Sequence, residues 1–354
     1  MNSLIVRGAP EEYICEVGAW SYLEEHLIRR QIDKVLILHG EKSLAVAKPF
    51  LPEFKKVEGI YAHYQNECQF EIADYFIERV KKENINGIIG IGGGKVLDLA
   101  KLVADSLKIK SICLPTLAST CAAYTPVSIV YNQNHEMVEF KILSQSVSLT
   151  LIDPSILLNS PKDYLVAGIG DTLAKWYEAD PIISTIKEPS VEISVAHFAA
   201  KSCQENLMIN SEKALQDLEN NQLSSEFIKV IETNILLAGM VGGFGDKYGR
   251  TSGAHSIHDA LTFIPKTSSV LHGKKVAYGI LVQLGIEEKW NEVKKLLPFY
   301  KSLGLPTKYS EMGILKEEME KVADLASKDE CMLLLPLEIT TEKVLAAIES
   351  LEEL

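Results

Sequence analysis

The segment Gly87-Ile-Ile-Gly-Ile-Gly-Gly-Gly-Lys-Val-Leu-Asp-Leu-Ala-Lys101 changes character at its middle. Residues 87–91 are an apolar run of strand length, whereas from Val96 to Leu107 the apolar residues recur at helical spacing. Three consecutive glycines, Gly92, Gly93 and Gly94, join the two halves. A tight strand-to-helix turn needs one glycine; three let the backbone approach a ligand with no Cβ in the way. The helix that follows offers unpaired N–H groups and a positive dipole end, both suited to a pyrophosphate. Two common phosphate-binding patterns fail here. GxxxxGK[ST] would need glycine at Ile89 and a hydroxyl at Val96, and GxGxxG would need glycine at Lys95. Asp98, one turn into the helix, is accounted for by the dipole alone.

The same alternation repeats on both sides of this segment. Lys34 to Leu38 reads as a strand and Lys42 to Leu51 as a helix ended by Pro52. Val57 to Tyr64 reads as a second strand, Phe70 to Val80 as a helix, and Ser111 to Leu114 as a fourth strand. Such spacing predicts βαβ units and a mostly parallel, doubly wound sheet. From Ser128 to Asp153 short strands alternate with polar turns, an antiparallel or mixed addition to that sheet. From Tyr164 to Leu354 nearly everything has helical period. A chain of 354 residues exceeds what one core usually holds. The expected architecture is an α/β N-terminal dinucleotide-binding domain over residues 1–157 and an all-α C-terminal domain over 158–354. A ligand is expected in the crevice between them.

Composition narrows the partners. Apolar residues make up 47% and charged residues 24%, the profile of a globular protein. The net charge of −12, with no basic block, argues against nucleic acid. No run of 18 or more apolar residues occurs, so no membrane partner is expected. The opening MNSLIVRGAPEEYI lacks a charged leader followed by a long apolar stretch, which points to the cytoplasm. Six cysteines without a CxxC pair read as free thiols in a reducing compartment.

Three separate pieces of the helical half carry ligand chemistry. Gly168-Ile-Gly-Asp171 reads as the approach to a helix, with Asp171 near its N-terminus. His255 and His258, three apart in GAHSIHDAL, share a helix face. His272 opens HGKKVAYG, another loop-to-helix start. One carboxylate and two imidazoles give three ligands and an open position, the arrangement of catalytic metal sites. Helix caps and core histidines would have the same spacing, so both readings stand at this point.

The segments GIIGIGGGKVLDLAK, LPTLASTCAAYTPVSIVY, GIGDTLAKWYEA, GAHSIHDAL and LHGKKVAYG stand in an order that resembles the iron-containing (group III) alcohol dehydrogenases. Within them the chain is most similar to the glycerol dehydrogenase-like branch, including its hydroxycarboxylate dehydrogenases. The resemblance implies the dehydroquinate synthase-like fold and a hydride transfer between NAD or NADP and a small alcohol or carbonyl. It implies one divalent metal ion held by Asp171, His255 and His272. Gly92, Gly93, Gly94, Lys95 and Asp98 would hold the cofactor's phosphates and ribose. Thr116, Ser119, Thr125, Val127 and Tyr131 would line its adenine and nicotinamide side. His258 would face the nicotinamide and substrate, as a catalytic proton relay titrating near neutral pH. A homo-oligomer is also implied.

Several positions depart from the family pattern. Iron-using members carry a histidine four residues after the aspartate, where this chain has Lys175. Three protein ligands favour zinc over iron, with other divalent ions open. Lys175 reads either as a surface i,i+4 partner of Asp171 or as a cation that attracts an anionic substrate. Glycerol dehydrogenases place an aspartate where this chain has Cys121. Together Lys175 and Cys121 shift the expected substrate to a 2-oxo or 2-hydroxy acid, with glycerol or another polyol as the alternative. NAD-preferring members end the strand after the first helix with an aspartate; Gly40 stands there, followed by Lys42 and Ser43, which would contact a 2′-phosphate. NADPH is therefore expected to serve at least as well as NADH, unless Glu41 turns inward. Asp259 replaces the asparagine of the glycerol enzymes. A dehydroquinate synthase-like lyase and a non-catalytic cofactor-binding protein are the readings from other classes.

Overall fold

The structure is a computed structural model, and it describes residues 4–134 and 136–354. Its strands are Tyr13–Cys15 (β1), Lys34–His39 (β2), Glu58–His63 (β3), Gly87–Gly92 (β4), Lys110–Pro115 (β5), Val127–Tyr131 (β6), Met137–Ile142 (β7) and Leu149–Ile152 (β8). Six of them pair in parallel in the order β1-β8-β5-β4-β2-β3. β4 lies at the centre and is buried at every residue, which is why it reads as an unbroken apolar run. Strand order runs outward from β2 to β3 and in the other direction from β4 through β5 to β8. The direction reverses between β2 and β4, and their carboxyl ends carry Gly40 and the glycine turn. Open α/β sheets bind ligands at such a switch point.

One expectation needs correction. The stretch from Ser128 to Asp153 is not an antiparallel or mixed addition to the sheet. β6 and β7 form a separate two-stranded antiparallel sheet, while β8 enters the main sheet in parallel. Burial accounts for the difference: β7 is exposed along most of its length, whereas β8 is buried at all positions. β1 has no periodic signal, being three half-buried residues between glutamates.

Helices Leu23–Arg29 (α1), Glu41–Ala47 (α2), Phe70–Glu83 (α3), Gly94–Leu107 (α4) and Pro154–Leu157 (α5) complete the first half. α2 is shorter than the pattern from Lys42 to Leu51 suggests, because a 3₁₀ turn around Pro49 takes over at Lys48. The second half is helical throughout: Lys162–Ile183 (α6), Val191–Glu219 (α7), Ser225–Glu232 (α8), Ala238–Gly245 (α9), Gly253–Thr262 (α10), His272–Ile286 (α11), Trp290–Leu303 (α12), Lys316–Ser327 (α13) and Thr341–Glu353 (α14). The stretch Ser225–Tyr248 is long and apolar enough to span a membrane by length and composition, with mean hydropathy 1.4. It is 56% buried and interrupted by a π turn at Thr233–Leu237, features of a core helix. Two compact units are present: Arg7–Ser160 with Asn221–Leu223, and a short stretch ahead of Arg7 with Pro161–Asn220 and Ser224–Leu354.

Backbone-to-backbone crossings in the second unit set up the functional cluster. A Cβ on Gly170 of α6 would lie 2.4 Å from the carbonyl oxygen of Gly273 in α11, and one on Gly273 would lie 1.8 Å from that of Ala167. A Cβ on Gly279 of α11 would lie 2.2 Å from the carbonyl oxygen of Ala254 in α10. Only glycine permits these approaches. Asp171, His255 and His272 are each the chain neighbour of a residue in one of these crossings.

Candidate active site

In the first unit, Gly92 adopts φ +146° and a Cβ there would meet Val96 Cγ1 at 2.7 Å. α4 begins two residues later, so its free N–H groups open onto the turn. Ser43 braces the turn. Its hydroxyl donates to the carbonyl of Ile91 (2.8 Å) and accepts the N–H of Gly40 (3.0 Å). The Ser43 hydroxyl is thus committed to joining the ends of β2 and β4, which corrects the expectation that it contacts a 2′-phosphate. Lys42 and Glu41 are exposed on the first turn of α2, and Gly40 lies against the Tyr64 ring. The N–H of Thr116 donates to the Gly92 carbonyl (3.1 Å). Lys95 pairs with the buried Glu67 carboxylate (2.7 Å) and lies over the Tyr131 ring (5.0 Å).

Asp98 has a structural task that neither the dipole nor the resemblance foresees. Its buried carboxylate pairs with Lys101 (2.9 Å) and accepts the N–H of Ile129 (3.2 Å). The Lys101 ammonium donates to the carbonyls of Ala122, Thr125 and Val127. This cluster anchors the loop that carries Ser119, Cys121 and Thr125 onto α4, rather than presenting a carboxylate to ribose or phosphate. Cys121 is half-buried there, and its carbonyl accepts the N–H groups of Tyr124 and Thr125.

In the second unit, Asp171, His255 and His272 converge, their donor atoms all within 4.8 Å of one another. Asp171 does not stand near a helix N-terminus; it is the tenth residue of α6. Gly168 and Gly170 do not interrupt that helix; Gly170 is needed for the close approach to α11. The Asp171 Oδ1 atom is 3.3 Å from Nε2 of both His255 and His272. A tetrahedral shell with bonds of about 2.0–2.1 Å has edges of about 3.3–3.4 Å, so these separations fit a common cation.

The remaining ring nitrogens are held from behind. His255 Nδ1 donates to Glu178 (2.7 Å), which also accepts the N–H groups of Ser252 (2.7 Å) and His255 (2.9 Å). The sequence reading missed Glu178. The available signal was its position seven residues after Asp171, two helical turns along the same face. His272 Nδ1 meets His258 Nε2 at 2.9 Å, and His258 Nδ1 meets the Asp259 carboxylate at 2.8 Å. An ionised carboxylate only accepts, so His258 carries its proton on Nδ1 and its Nε2 is free to accept from His272 Nδ1–H whenever a cation takes the His272 Nε2 lone pair. Both histidines of the set therefore turn Nε2 towards Asp171.

This geometry corrects the role expected of His258. Both its nitrogens are engaged, and burial together with His272 pushes its pKa down to about 3. It stays neutral across the physiological range and does not titrate near neutral pH. For His255, burial opposes the charge, yet Glu178 and Asp171 hold its pKa up at about 9. Burial likewise opposes the Asp171 charge, but Lys175, His255 and His272 hold it well below the usual carboxylate range. Lys175 is only 8% exposed, so it is no surface partner; its ammonium donates to the Arg250 carbonyl (3.4 Å).

Residues 10–154 match the family model described as iron-containing alcohol dehydrogenase. Hydroxycarboxylate dehydrogenase A of Escherichia coli (strain K12) is 33% identical over 357 residues, covering 99% of this chain and 98% of the relative. The chain belongs to the iron-containing alcohol dehydrogenase family. Glycerol dehydrogenase of Thermotoga maritima is 31% identical over 358 residues, covering 96% of this chain and 95% of that protein. The crystal structure of a probable glycerol dehydrogenase from Sinorhizobium meliloti 1021 superposes with a TM-score of 0.88 at 26% identity, covering 99% and 98% of the two chains. The family is NAD(P)-dependent and metal-binding, and this chain is a dehydrogenase acting on CH–OH donors. The lyase and non-catalytic readings give way to that assignment.

Proposed function

We propose that the chain transfers a hydride between NAD(P)(H) and a small 2-oxo or 2-hydroxy carboxylic acid, using a divalent cation, zinc ahead of iron, held by Asp171, His255 and His272. The observation that carries the substrate class is the buried ammonium of Lys175 beside Asp171 and Glu178. The two carboxylates bring two negative charges and Lys175 one positive charge. A divalent cation leaves this group one positive charge in excess, and a monoanionic substrate offsets it. With Asp171, Glu178 and Lys175 all buried, an unbalanced charge among them is costly. The 33% identity to a hydroxycarboxylate dehydrogenase supports the same substrate class.

When bound, the cation stabilises negative charge developing on the substrate oxygen, and the nicotinamide gives or takes the hydride. The chain's residues do the placing. Glu178 orients His255, His258 stands behind His272, and Lys175 draws in and aligns the substrate carboxylate. The glycine turn and the free N–H groups of α4 receive the cofactor's pyrophosphate, with Lys95 steadied by Glu67 beside them. Gly40 supplies no carboxylate to repel a 2′-phosphate and Lys42 is exposed nearby in sequence, which supports use of NADPH at least as well as NADH. Residues 1–157 would serve the dinucleotide and 158–354 the metal and substrate. The net charge of −12 and the lack of a CxxC pair suit a small-molecule enzyme of the cytoplasm rather than a nucleic-acid partner.

Initial rates with 2-oxobutyrate, oxaloacetate and glycerol, each with both cofactors, test this reading. The acids are expected to be the better substrates. Lys175→Met should raise KM for the acids about 10- to 100-fold, the loss of a charged hydrogen bond worth ~1.5–3 kcal/mol, and leave glycerol unchanged. Turnover of glycerol well above that of either acid would reject the proposal.

A further inference from the structure

The two histidines of the cluster are supported very differently. His255 lies within α10 and its Nδ1 rests on Glu178, a buried carboxylate with three hydrogen bonds. His272 is the first residue of α11, and its side chain is 43% exposed. Its Nδ1 meets no carboxylate; it meets another imidazole, His258. A neutral imidazole can carry its proton on either nitrogen and can accept or donate at either, so His258 alone cannot orient His272. The proton order of both rings is decided one step further out, at Asp259.

We propose that Asp259 is a positioning residue that acts through His258 to keep the His272 proton on Nδ1 and its Nε2 lone pair on the side of Asp171. This rests on the reading of Asp171, His255 and His272 as a metal site. The chain of contacts is unbroken: Asp259 Oδ1 to His258 Nδ1 at 2.8 Å, His258 Nε2 to His272 Nδ1 at 2.9 Å, His272 Nε2 to Asp171 Oδ1 at 3.3 Å. The third contact, between a ring lone pair and the Asp171 carboxylate, has no donor and is the gap a cation would fill; the first two each have one consistent donor when the outermost group only accepts. A carboxylate meets that condition. An amide does not, because a carboxamide can turn its NH₂ inwards and reverse both histidines. Asp259 therefore does what an asparagine at this position leaves undecided. Its charge is balanced by Lys275, buried on the turn of α11 that follows His272. Carboxylate partners behind a ligand histidine also make it a stronger donor to a cation.

The experiment has two readouts on the full-length protein. In the zinc-loaded protein labelled with ¹⁵N-histidine, NMR should show His258 and His272 both protonated on Nδ1 at neutral pH, and His258 should keep that tautomer in the metal-free protein. Asp259→Ala should abolish the single tautomer at both rings, whereas alanine at a merely structural position leaves the ring nitrogens as they are. In zinc–chelator competition, Asp259→Ala should bind zinc about 10- to 100-fold more weakly. Asp259→Asn, isosteric and able to fold where alanine fails, should show an intermediate loss. Unchanged tautomers, or zinc affinity equal to wild type in both variants, would overturn the proposal. The His258 readout needs no metal, so it decides whether Asp259 sets the proton order even if the metal reading itself fails.

Discussion

Each compact unit buries an aspartate and a lysine about one helical turn apart, and the two pairs are finished in opposite ways. In α4, Asp98 and Lys101 meet at 2.9 Å, the ammonium takes three loop carbonyls and the carboxylate takes the Ile129 N–H. That cluster is closed. In α6, a single oxygen of Asp171 faces two imidazoles at 3.3 Å, at the long edge of hydrogen bonding, and the Lys175 ammonium reaches the Arg250 carbonyl at 3.4 Å. That cluster is loosely held, with donor atoms pointing at one another across room for a cation. In sequence the pairs read alike, as D-x-x-K and D-x-x-x-K. The closed pair fastens a loop, and the open one offers its groups to a ligand.

Two substitutions read side by side would break this comparison if it is wrong. Lys101→Met leaves a buried carboxylate uncompensated, which costs about 3–5 kcal/mol. Melting should fall by roughly 6–20 °C, by the same amount with and without added zinc. Lys175→Met should destabilise the metal-free protein and spare the zinc-loaded one, because the cation replaces the lost positive charge. Equal losses for Lys175→Met in both states, followed by calorimetry, would show that its cluster is as closed as the other.

A smaller effect sharpens the contrast through pH. In the metal-free protein the pKa of His255 stands at about 9, above its ordinary value of 6.5. A group with a raised folded-state pKa contributes stability that is full below the unfolded value and is lost as pH rises through the folded one. The metal-free protein should therefore melt at a lower temperature at pH 9.5 than at pH 6.5. His255→Gln should flatten that difference; a slope unaltered in the variant would assign it to other groups.

Much of this was legible in the sequence because the signals were local. The run from Gly87 to Leu107 announces strand, turn and helix in one breath, and the parallel sheet follows from its repetition. β8 carries no partner signal in its sequence: a buried parallel strand and a hairpin strand look alike over four residues. The place of Asp171 is hidden in the sequence because Gly170, a residue type that often ends helices, here serves a close helix crossing visible only when α11 is laid against α6. The sequence shows His258 only with its unperturbed chemistry, which burial shifts towards the neutral form. Glu178, Lys101 and Asp259 act through bonds to residues brought near by folding, so spacing revealed the groups and withheld their tasks.

The central claim is that Asp171, His255 and His272 share one cation. Elemental analysis of extensively dialysed protein, wild type beside His255→Ala, tests it most directly. The account predicts about one divalent ion per chain in the wild type and only background in the variant. A variant that keeps its full complement, or a wild type that takes up none from excess zinc, would contradict it.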